Sequence, residues 1–239
     1  MKNEHLETGK HARGRLLALW VVVLSLSVGL GCAGRARGQG AADVRAFVHQ
    51  TFIHGVPYAQ ASRFSSTDAT VLLEMLANDQ ERAFWPNIVV TLCVIGDERA
   101  VDPLISFFSR DVPGALSPSE YNAKTGALMS LGYIVNKNGN LKALNYLIDS
   151  LNPDTWTARK LTWVSPYQAG EAERNRQLTA MAIAGLALSG HPLARTALLS
   201  LQSLTGVAAP DPALVEEALR ANAVIASEGL AAYYRKAGL

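Results

Sequence analysis

The sequence predicts an all-α fold built as a stack of about four helix pairs, and three observations carry that expectation. Ala and Leu are abundant while runs rich in Val, Ile and Thr are few, a balance that favours helix. Apolar residues through the middle of the chain recur at three- and four-residue spacing. Gly, Asp and Pro punctuate those stretches where helix ends and starts belong. Apolar residues make up 49% of the 239, enough for a sizeable core. Charged residues make up 18%, below the usual share of about 25%, and wholesale disorder is not expected.

Residues 1–33 read as a leader. Lys10, Arg13 and Arg15 precede an apolar stretch from Leu16 to Leu30, and small residues follow it from Gly29 to Gly34. Basic flank, apolar run and small-residue exit are the marks of a secretory signal. Two exits compete. Gly31-Cys32-Ala33 resembles a small-x-small cleavage site, while Leu30-Gly31-Cys32 resembles the end of a bacterial lipobox with Cys32 as the lipidated residue. Gly29 stands where a lipobox normally has a branched apolar residue. The expectation is export, to the periplasm or to a membrane-anchored position in a bacterial cell envelope. Lipidated Cys32 would be the membrane attachment.

The leader also accounts for the net charge of +2. Beyond residue 31 the chain holds 18 basic and 18 acidic residues. No basic stripe is present, so a nucleic-acid partner is not expected. Gly29-Leu30-Gly31-Cys32-Ala33-Gly34 matches GxGxxG, yet no strand–helix–strand pattern surrounds it, and that context is what would make the glycines cradle a phosphate.

Residues 34–40 read as a short tether, and 41–239 as the repeat domain. Val44, Phe47, Val48 and Phe52 fall at helix spacing, and His54-Gly55 breaks the pattern. Pro57 suits the start of another short helix. Val71, Leu72, Met75 and Leu76 form one apolar face, interrupted by Asn78-Asp79. Pro86 starts a second helix containing Ile88, Val89, Leu92, Cys93 and Ile95. Gly96 is expected to stop it in the left-handed conformation, and Asp97 to cap the next helix through its free backbone N–H groups. Leu128 to Gly132 and Leu186 to Gly190 repeat the apolar-run-then-glycine junction more weakly. Ala100, Ala143 and Ala194 follow the three junctions at intervals of 43 and 51 residues. A last pair is expected from Pro212 to Tyr234.

LCVIGDERAVDPLI, residues 92–105, resembles the helix–Gly-Asp-x-Arg-Ala-Val-x-Pro-Leu–helix junction of HEAT repeats, in particular the short class of phycobilisome-lyase-type proteins. The resemblance implies paired antiparallel helices stacked as a right-handed α-solenoid. HEAT-type periods are about 40–47 residues. The 51-residue interval therefore holds an insertion, placed at 152–170, with Trp156, Trp163 and Tyr167 inside it. A small hairpin is one reading of that segment. Ala100, Ala143, Gly185 and Ala194 are small enough to let helices approach closely.

No catalytic constellation stands out, and neither a metal nor a cofactor is expected. HExxH and GxSxG are absent. His49 and His54 straddle a helix end, so they share no face. His191 occupies the place of Asp97 and reads as a helix start. Cys93 sits on an apolar face and reads as core. Glu171 with Glu173, and Glu216 with Glu217, read as first-turn carboxylates that complement the helix dipole.

Candidate contact residues are aromatic and polar. Counting back from Gly96 and Gly132 aligns Trp85 with Tyr121, within Trp85-Pro86-Asn87 and Tyr121-Asn122. Arg174 opens the next such helix. Two readings stand for these positions: the start of a binding groove, or packing at the core edge. Trp156 and Trp163 likewise either fold back on the repeats or present a contact surface. The function expected is a non-enzymatic scaffold of the cell envelope that binds a protein or peptide through the concave face or the insertion. The alternative is a lyase-type HEAT protein handling a tetrapyrrole or other small ligand.

Overall fold

The computed structural model describes residues 39–53, 55–112, 115–167, 170–205 and 209–237. The leader, Cys32, residues 34–38 of the tether and His54 lie outside the described residues. Twelve α-helices form the described part: α1 Gln39–Val48, α2 Tyr58–Ala61, α3 Ser66–Ala77, α4 Trp85–Ile95, α5 Val101–Ser109 and α6 Pro118–Asn138, then α7 Leu141–Asp149, α8 Pro153–Ala158, α9 Glu171–Ser189, α10 Pro192–Ser200, α11 Pro212–Glu228 and α12 Leu230–Lys236. Strand-type pairing among the described residues is limited to an isolated bridge between Ala115 and Val164. The fold is all-α. Helix α1 begins two residues before the expected Ala41, so Gln39 and Gly40 belong to the helix and not to the tether.

Local sequence explains most boundaries. Ser65 with Asp68, and Ser117 with Glu120, form capping boxes at the starts of α3 and α6, each pair satisfying two orphan N–H groups. The Asn140, Asn152 and Asp211 side chains accept backbone N–H groups at the starts of α7, α8 and α11. Asp97 does the same for the 3-10 turn that leads into α5, and the His191 ring for α10. Gly96 and Gly190 end their helices at φ 74° and 58°, as expected.

Gly132 does not end a helix. Helix α6 runs through it and stops at Gly139, with φ 70°. Gly139 lies 43 residues after Gly96, the interval that separates Ala100 from Ala143. Gly132 instead meets Gly185 of α9 backbone to backbone. The alignment of Trp85 with Tyr121, counted from Gly132, falls with it.

Helices α4, α6, α9 and α11 lie side by side in a central row, and α5, α7 and α10 pack against that row. The core runs continuously through the stack, with Leu92, Leu128, Leu131, Leu178, Leu186 and Ile225 among its fully or nearly fully buried members. Asparagine amides tie neighbouring helices to one another. Asn138 donates to Gly96 O at 3.0 Å, Asn136 to Ser189 O at 3.1 Å and Asn222 to Leu186 O at 3.0 Å. Ser189 O is a carbonyl that the last turn of α9 leaves without a backbone partner, while Leu186 O also accepts the Ser189 hydroxyl at 2.7 Å. Glu171 and Glu173 do sit in the first turn of α9. Glu216 and Glu217 do not, because α11 already begins at Pro212; both face Arg220, at 3.7 and 3.0 Å.

Candidate functional site

Helix α5 leaves carbonyls free at its C-terminal end, and α6 supplies their partner. Lys124 Nζ donates to Phe107 O at 2.8 Å, Phe108 O at 3.0 Å and Arg110 O at 2.7 Å. An ammonium has three N–H bonds, and all three are used. The side chain is only 2% exposed. Burial pushes the amine down to about 8, and the nearby Arg110 adds to that, while Glu120 and Asp111 oppose it.

The insertion is laid over this end of α5. It is a short helix, α8, followed by an extended segment, and not a hairpin. Trp156 on α8 packs against Phe108 at 5.6 Å and donates its indole N–H to Thr179 Oγ1 at 3.1 Å. Trp163 donates to Phe108 O at 3.1 Å and meets Phe108 edge to face at 5.7 Å. Two basic groups approach its ring, with Lys124 Nζ 5.7 Å and Arg174 Cζ 5.6 Å from its centroid. Arg174 donates to Leu161 O and Trp163 O, both at 3.1 Å, and to Asn175 Oδ1. One guanidinium from α9 thus fastens the extended segment to the central row.

These contacts correct the expected contact set. Trp85, Tyr121, Trp156, Trp163 and Arg174 are all buried. Trp85 meets Phe107 edge-on at 5.1 Å, beneath the guanidinium of Arg110 at 4.9 Å. Tyr121 gives its hydroxyl to Gln177. Asn87 is half-buried and donates to Val48 O and Gln50 O at 2.9 Å each, closing the end of α1. Large aromatic area and fixed donors are more valuable to this fold inside than outside. Asn122 alone of the seven positions remains exposed.

What the insertion shows to solvent is a different pair. Val164 is 47% and Tyr167 59% exposed. The extended segment alternates: Leu161, Trp163 and Ser165 point inward, Thr162 and Val164 outward. Period-two alternation was readable in the sequence once Trp163 is placed inside. Tyr167 stands edge-on to buried Tyr121 at 5.5 Å, so its ring has a fixed support. Thr162 bonds Asp111.

Other titratable groups are in structural use. His49 bonds Glu81 at 2.7 Å, and the His191 ring nitrogen accepts the Leu193 N–H at 3.2 Å. Burial raises the Cys93 thiol. Among the described residues, no three His, Cys, Asp or Glu side chains are grouped to hold a metal ion, and no helix is long and apolar enough to cross a membrane. Comparison with known proteins finds no matching family model, no matching characterised protein and no matching solved structure.

Proposed function

We propose that the chain is an exported, HEAT-like α-solenoid that acts as a non-enzymatic scaffold, binding a protein or peptide in the cell envelope through the outer edge of the insertion. One observation carries the reading. The insertion is pinned from beneath by Trp156, Trp163 and Arg174, and it presents Val164 and Tyr167 outward. A rigid exposed aromatic on a fixed base suits a partner contact, because little ordering entropy is lost on binding. The row of helices, three of which turn through a left-handed glycine onto a shorter outer helix, supports the repeat reading, in which neighbours complete one core.

Site-specific photo-crosslinking tests it. A crosslinker at position 167, in cells that express the full chain, is expected to trap a discrete partner adduct. The same group at Leu193, exposed on α10, is expected not to. Equal adducts from both positions, or none from 167, would remove this surface. Fractionation and intact mass of the same protein would test export and Cys32 lipidation separately.

A further inference from the structure

The fourth glycine junction differs from the other three. Gly96, Gly139 and Gly190 take the left-handed helical conformation and turn the chain onto the outer helices. Gly229 has φ 82° and ψ 164°. That region is open essentially to glycine alone. It sends α12 to the opposite end of the chain, onto α2.

The contact there is a tyrosine cluster. Tyr234 of α12 shares a hydroxyl–hydroxyl bond with Tyr133 of α6. Tyr58 of α2 stacks on Tyr234 at 5.1 Å and on Tyr133 at 6.1 Å. Tyr233 adds an edge contact to Tyr234 at 5.4 Å. The last described helix therefore covers Tyr133 and meets a segment from the start of the repeat domain.

The attachment is slight. Helix α12 has seven residues, too few to be stable without packing. Only Leu230 and Tyr234 are buried on it. The ion pair that fixes its far end, Lys236 to Glu228 at 2.6 Å, is exposed. Elements with few buried contacts open first, at a cost below that of global unfolding. We propose that α12 is a hinged strap, closed here on Tyr58 and Tyr133, which swings about Gly229 and uncovers a tyrosine face shared by α2 and α6.

Hydrogen exchange of the full-length protein tests this. In the wild type, the amides of 230–236 are expected to exchange at least tenfold faster than those in the middle of α11. Gly229→Ala penalises the closed hinge without touching a side chain, since nothing lies within 4 Å of the position its Cβ would take. It is expected to speed exchange about tenfold in both 230–236 and 56–61, leaving α9 unchanged. Tyr234→Phe, which removes only the hydroxyl link, should move the same two segments less. The proposal fails if α12 is as protected as α11. It also fails if the variants change neither segment, change α12 alone, or accelerate α6 and α9 equally.

Discussion

Gly132 of α6 faces Gly185 of α9 so closely that a Cβ on Gly132 would lie 2.0 Å from the Gly185 carbonyl oxygen. The obstacle is backbone, so no rotamer relieves it, and the two helices would have to separate. Gly132→Ala is expected to destabilise the protein by about 3 kcal/mol, at the upper end for an overpacked core. Gly126 lies on the same helix with nothing within 4 Å of its Cβ position. Gly126→Ala is expected to stabilise by about 0.5–1 kcal/mol through helix propensity alone. Denaturant midpoints of the two variants check this. A fall of similar size in both would mean that the close approach is not what Gly132 provides.

The same glycine shows where the sequence was legible and where it was not. Gly96 and Gly190 announce themselves locally: an apolar run, the glycine, then Asp97 or His191 as a cap. Leu128 to Gly132 carries the same local signal, but its meaning is set by Gly185, 53 positions away. Gly139, the actual stop, follows Asn136-Lys137-Asn138 and has no apolar run to mark it. The tryptophans of the insertion were visible as aromatic weight, yet their inward direction depends on the carbonyl of Phe108 and the hydroxyl of Thr179. Lys124 and Arg174 look like surface charges in sequence, because the carbonyls they fill belong to elements brought near only by folding.

Buried anchor and exposed edge should separate cleanly in thermal melts. Trp163→Ala empties a fully buried site and leaves Phe108 O with one donor fewer. A loss of about 3–5 kcal/mol is expected for such a truncation. Tyr167→Ala removes a ring that is 59% exposed and is expected to change stability by no more than about 0.5 kcal/mol. A large loss in Tyr167→Ala would show that its ring holds the insertion down, and would weaken its assignment as a contact residue.

Arg174 separates shape from charge. Its planar fork reaches Leu161 O, Trp163 O and Asn175 Oδ1 together. Lysine keeps the charge but offers no such fork. Arg174→Lys is expected to cost about 2 kcal/mol, the loss of charged hydrogen bonds to buried carbonyls. Amide exchange should rise in 161–167 and stay unchanged in α11. Wild-type protection of that segment in the variant would mean that Trp163 alone suffices to pin it.

Lys124 gives the stability profile a direction in pH. Folding lowers this amine from its ordinary 10.5 to about 8, chiefly by burial. Below about pH 8 both folded and unfolded chains carry the proton. Between 8 and 10.5 the unfolded chain binds more protons, so stability rises with pH across that window. Each pH unit contributes about 1.4 kcal/mol at most, which bounds the rise at about 3 kcal/mol. Tyr133 and Tyr234 act in the opposite sense, since burial holds both above their ordinary 10.0. Above pH 10 the unfolded chain loses those protons first and stability falls. The expected profile climbs from pH 8 and turns over near pH 10. Lys124→Met lowers stability throughout by stripping the donors from Phe107 O, Phe108 O and Arg110 O, and it should flatten the climb while leaving the alkaline fall. A climb that survives unchanged in Lys124→Met would assign it to another group and would mean that the carbonyl cage keeps Lys124 charged through the whole window.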